Sequence, residues 1–126
     1  MTASSDARIH VAKAGEFLEA AQANLGLKLY NAATSDAIIS GINSKDVICL
    51  VLTGRTTKSD NHAGAVAELR GAGRAGATLA PTLNRLLRLK TKSQYTPTSV
   101  GPSDAARAVE WAHRMLSGAT DTLAGG

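Results

Sequence analysis

Aromatic residues make up only 3% of this chain of 126, namely Phe17, Tyr30, Tyr95 and Trp111. Surfaces that hold single-stranded bases by stacking need rings exposed in series, so no base-stacking platform is expected. Cysteine is scarcer still. Cys49 stands alone inside an apolar run, which leaves no second thiol for an internal disulfide or a Cys-rich zinc site, and it is expected in the core. His10 and His113 lack a companion His, Cys or carboxylate at helical metal-ligand spacing and read as surface or helix-face histidines. No apolar run approaches the roughly 20 residues that span a bilayer, and the polar residues 1–6 are not followed by the apolar stretch of a secretion signal. The expectation is a cytoplasmic, soluble protein without membrane contact.

What is present is small and aliphatic. Hydrophobic residues reach 44%, so with so few rings the core must be built from Ala, Leu, Ile and Val. Close helix packing through small residues follows. The length suits one core of four or five helices, a single domain over residues 5–123. Fourteen basic residues against ten acidic ones give a net charge of +4, which draws polyanions. Given the scarcity of rings, phosphate contact is the natural use of that charge.

Along the chain, Val11, Ala14, Leu18, Ala21, Leu25 and Leu29 recur at steps of three and four, the stripe of an amphipathic helix starting near Asp6. Asn31 is placed to cap a second helix that reaches Leu52 or Thr53, with Ile38, Ile42, Ile48, Cys49 and Leu52 buried and Gly54 as its stop. Residues 47–52 are β-branched enough to read as a strand, but no other segment offers a partner. Ser59 or Asp60 caps a third helix carrying His62, Val66 and Leu69 on one face, broken by Gly71 and Gly73. Thr78 opens a fourth, with Pro81 in its first turn and Leu79, Leu83, Leu86 and Leu87 as its buried stripe. Residues 93–102 form a loop anchored by Tyr95, and Ser103 caps a fifth helix through Ala105, Val109, Ala112 and Leu116. The whole is an all-α, up-and-down bundle of about five helices.

Residues 54–62 place Arg55 and His62 on either side of a polar break between two helices. Arginine is always charged and forks toward phosphate, whereas histidine exchanges a proton near neutral pH. With His62 opening a helix whose first backbone N–H groups lack partners, the pair suits a phosphodiester; read structurally, it is an ordinary solvated connection. Asp46, four residues past Ile42, either turns inward to orient an Arg or His or pairs with a neighbouring Lys. Arg85, Arg88, Lys90 and Lys92 end the fourth helix without an acid among them, either a solvated helix end or a phosphate track. The glycines at 71, 73 and 76 miss the dinucleotide-binding spacing by one residue and follow a helix instead of a strand, so they read as a helix connection.

This layout of five helices, Arg-x6-His between the second and third, and a Tyr loop leading into a last helix that begins Ser103-Asp104-Ala105-Ala106 resembles the HEPN domain family. The resemblance runs from residues 13–21 through Asn31-Ala32-Ala33 and Ser44-Lys45-Asp46-Val47-Ile48-Cys49 to Gln94-Tyr95 and the last helix. It implies a metal-independent endoribonuclease, homodimeric so that two motifs face one cleft, active in toxin–antitoxin, defence or RNA-processing systems. Its partners would be RNA or a nucleotide, with an antitoxin or a nucleotidyltransferase alongside. Arg55 matches the motif arginine and His62 its histidine, with Lys58, Asn61 and Asp46 as supports; no cofactor and no metal are expected. Thr56 stands where active members often carry Asn, Asp or His, and this favours the alternative, a non-catalytic HEPN-like module that binds RNA, a nucleotide or a protein. Ala63-Gly64 replaces the x-Tyr of the nucleotidyltransferase-regulated subgroup.

Overall fold

A computed structural model describes residues 3–57, 61–94 and 100–125. Among them are five helices and no strand: α1 (Ala3–Gly26), α2 (Tyr30–Thr53), α3 (His62–Arg70), α4 (Gly73–Gln94) and α5 (Pro102–Gly125). The all-helical expectation holds, including the β-branched run at 47–52, which lies inside α2. Ser59, Asp60, Lys58 and Tyr95, given roles above as caps, support and anchor, lie outside the described residues.

The chain is arranged around α2, which touches all four other helices. A helix surrounded in this way is apolar on all sides instead of along one stripe, and residues Ala37, Ile38, Val47, Ile48, Cys49 and Leu50 are buried together with Gly41. Ala7, Ala14, Leu18 and Ala21 of α1 and Ala108, Ala112, Met115 and Ala119 of α5 close over it. Alanine at most of these positions lets the backbones approach closely. The fourth side is filled by Leu83, Leu86 and Leu87 of α4.

Several boundaries differ from those read in the sequence, each for a local reason. The first helix ends not by weakening at Gly26 but through Lys28, whose φ of 63° is left-handed. The Leu29 N–H donates to the Asn24 carbonyl and the Lys28 N–H to that of Leu25, the paired bonds of a Schellman stop. Leu29 therefore leaves the helical stripe, is half exposed, and occupies the cap position of α2 that the sequence suggested for Asn31. Leu52, expected in the core, is 43% exposed. Gly54 ends α2 as expected: its φ of 80° suits glycine, and its N–H donates to the Leu50 carbonyl.

Asn61 caps α3, its side chain accepting from the Gly64 N–H at 3.0 Å. The fourth helix begins at Gly73 rather than Thr78, so Pro81 lies well inside it. Pro81 and Ala77 are both exposed, so water can reach the Ala77 carbonyl that proline deprives of a donor. Helix α4 runs on to Gln94, into the segment expected to be loop, and Pro102 takes the first position of α5 in place of a Ser103 cap.

Gly76 marks where α3 and α4 cross. A Cβ there would stand 2.1 Å from the Leu69 carbonyl oxygen, and that carbonyl already accepts from the Ala72 N–H. Gly76→Ala is therefore expected to destabilise the fold by roughly 1–3 kcal/mol, the usual cost of overpacking. Gly15→Ala, at a helical position with open space around it, should stabilise by about 0.5–1 kcal/mol. Thermal melts of the two variants should move in opposite directions; a Gly76→Ala protein that melts with the wild type contradicts the crossing.

Candidate functional site

A cavity of about 300 Å³ opens where the first four helices meet the connection between α2 and α3. Its lining includes His10 and Lys13 from α1, Asn43, Lys45 and Asp46 from α2, Asn61 and His62 at the start of α3, and Lys90 from α4. Three lysines face one aspartate there, so the walls favour an anion.

Lys45 and Asp46 sit on the most buried part of α2, where two neighbouring charges in an apolar helix require partners. The Lys45 ammonium, 2% exposed as a residue, pairs with Glu68 of α3 and reaches Asp46 Oδ1 at 3.3 Å. It also donates to Thr56 Oγ1 at 2.9 Å and to the Thr57 carbonyl at 3.2 Å. Thr56 Oγ1 in turn donates to Asp46 Oδ1 at 2.6 Å. Glu68 accepts from the Thr57 N–H at 3.0 Å and from the Thr57 hydroxyl. The connection carrying Arg55 is thus tied to the buried pair, and Thr56 is one of its ties. Of the two readings of Asp46, both are realised: it pairs with Lys45, and its other oxygen lies 3.7 Å from His10 Nδ1.

Burial works against the charge on Lys45, but the bond to Glu68 and the charge of Asp46 outweigh it and hold the ammonium above its ordinary value. Burial likewise works against the Glu68 carboxylate, and the bonds from Lys45 and Thr57 overcome it, leaving the carboxyl below its ordinary range. Burial pushes the Cys49 thiol up to about 11. A thiol in that state is a core group, not a nucleophile.

Two histidines on the cavity are each gripped by an asparagine from another helix. His62 Nε2 lies 2.8 Å from Asn84 Oδ1, and His10 Nδ1 lies 2.8 Å from Asn43 Oδ1. An amide oxygen only accepts, so the ring nitrogen facing it carries the proton. His62 then has Nδ1 as its basic nitrogen, and His10 has Nε2.

Of the residues singled out from sequence, His62, Asn61 and Asp46 meet on this cavity, and Asn61 serves as the α3 cap. Arg55 is not on its lining. The arginine is exposed, its backbone held by Thr53 Oγ1, which donates to the Arg55 carbonyl at 2.9 Å. No hydrogen bond or ion pair occupies its guanidinium among the described residues. Sequence reasoning passed over Lys45, Glu68, Asn43, Asn84 and, above all, His10, which it set aside with His113. A signal was present: His10 falls three residues after Ala7 and four before Ala14, on the stripe that α1 buries. His113 is exposed and lies away from the cavity.

Among the described residues no helix is long and apolar enough to cross a membrane, and no three His, Cys, Asp or Glu side chains converge as metal ligands. Compared with protein-family models and with curated proteins, the sequence finds no match.

Proposed function

We propose that this chain is a metal-independent endoribonuclease of the HEPN type, in which His62 transfers protons and Arg55 holds the scissile phosphate. The observation that carries this reading is His62 itself, on a cationic cavity with Nε2 committed to Asn84 and Nδ1 left basic. It stands at the helix end of the connection that carries the exposed Arg55. The ribose 2′-OH gives its proton to a base and bonds to the adjacent phosphorus; the bond to the 5′-oxygen breaks, and that oxygen takes a proton from an acid. Cationic side chains offset the charge that grows on the phosphoryl oxygens. One imidazole cannot be base and acid in the same step, so a second is required, and the family resemblance supplies it from a second copy of the chain. On this reading the protein works in the cytoplasm as a homodimer, with an antitoxin or a nucleotidyltransferase as its regulator.

A binding module for RNA, a nucleotide or a protein is the second reading, favoured by the position of Arg55 outside the cavity lining. The two separate on a gel. The ribonuclease reading predicts that RNA is cut in the presence of EDTA and that DNA of the same sequence, which lacks the 2′-OH nucleophile, is left intact. His113→Ala should cleave like the wild type. RNA that is bound but never cut establishes the binding module.

A further inference from the structure

We propose that His10 is the second proton-transfer group of the cavity, so that one chain carries both imidazoles and needs no histidine from a second copy. This rests on the ribonuclease reading above. His10 and His62 line the same cavity from α1 and α3, and each is oriented by a carboxamide oxygen. The grip on His10 is itself fixed. Asn43 donates through Nδ2 to the Ile39 carbonyl at 2.9 Å, which turns Oδ1 toward His10. Behind them Asp46 Oδ1 accepts from Lys45 and Thr56 while Oδ2 faces the imidazole at 3.7 Å. A histidine backed by a buried amide and carboxylate, with its far nitrogen basic, is the arrangement that orients a general acid or base.

The two rings divide the labour because their basic nitrogens differ, Nε2 in His10 and Nδ1 in His62. In the cleavage step one accepts the 2′-OH proton as the 2′-oxygen bonds to phosphorus. The other gives its proton to the 5′-oxygen as that bond breaks, so the charges balance within one chain. The other titratable groups on the cavity are Lys13 from α1, Lys45 and Asp46 from α2 and Lys90 from α4. No residue of α5 lines it among the described residues. A phosphodiester is the ligand that such a set of two imidazoles and three ammonium groups fits.

The test is His10→Asn, which keeps an N–H near the Nδ1 position for Asn43 while removing Nε2. Single-turnover cleavage of a fluorophore-labelled single-stranded RNA should fall at least ~100-fold, with one limb of the bell-shaped pH–rate profile lost. Affinity for an RNA with a 2′-deoxy linkage at the cut site should stay within a few fold. His10→Gln, which fills most of the ring's volume, should behave alike, and melting curves show whether both variants are folded. If the wild type cleaves and folded His10→Asn cleaves equally well with both limbs intact, the proposal is overturned and the ribonuclease reading survives. If the wild type cleaves no RNA, both fall together.

Discussion

His62→Ala should cleave RNA at least ~100-fold more slowly than the wild type, the lower range for removing a general acid or base. The loss should appear in kcat, because the imidazole acts on a proton in transit and contributes little to holding the RNA. Arg55→Ala should lose a comparable factor through the phosphate it no longer steadies. Its defect should also show in KM, since an exposed guanidinium grips substrate and transition state alike. Folding should be spared in both: Arg55 is exposed, and His62 gives up one bond, to Asn84. Cleavage that survives both substitutions, measured with His113→Ala alongside, contradicts the assignment.

Lys45→Met should produce the largest loss of stability, roughly 3 kcal/mol or more, because removing one member of a buried ion pair strands the other. The carboxylate left behind is Asp46, whose side chain is 4% exposed, with Glu68 beside it at 24%. Glu68→Gln should cost less, since its head is closer to water. The dependence on pH has a definite sign. Glu68 titrates below its ordinary 4.5 in the folded chain, so its contribution is complete above pH 4.5 and is lost as pH falls from there through the folded value. Lys45 titrates above 10.5 when folded, so its contribution is complete below that pH and is lost as pH rises through the folded value. Cys49, raised from 9.0 to about 11, weakens the fold further above pH 9. Denaturant titrations should therefore show a plateau through neutral pH, with the gap between wild type and Lys45→Met closing in acid. A constant gap down to pH 2 is incompatible with the network. Because Lys45 also holds Thr56 and Thr57, the variant should lose ribonuclease activity at temperatures where it is still folded.

The helices were readable because each carries its own punctuation: Gly54 ends α2 by a left-handed turn, and the aliphatic spacing of α1, α4 and α5 marks their buried faces. Where the reading slipped, tertiary contact decided. Gly71, Gly73 and Gly76 look like breakers, yet only the first two bound helices. The third lies within α4 because another helix's carbonyl passes over it, a fact that no local pattern encodes. Pro81 seemed to mark a helix start because its cost in mid-helix is large, but solvent on that face lowers it. His62, Asn61 and Asp46 were found in the sequence, and the cavity joins them. His10 was passed over because its neighbours Asn43 and Asp46 are distant along the chain, and histidine pairs across helices leave no spacing to recognise. Lys45 and Glu68 were hidden for the same reason, 23 residues apart.

The chemistry of the ends tests the central claim most directly. RNA cut by the wild-type protein in EDTA, examined by mass spectrometry, should carry a 2′,3′-cyclic phosphate on one fragment and a 5′-hydroxyl on the other, the products of attack by the neighbouring 2′-oxygen. Fragments ending in a 3′-hydroxyl and a 5′-phosphate would contradict it, because they arise from attack by water and leave the proton transfers assigned to His62 without a nucleophile to serve.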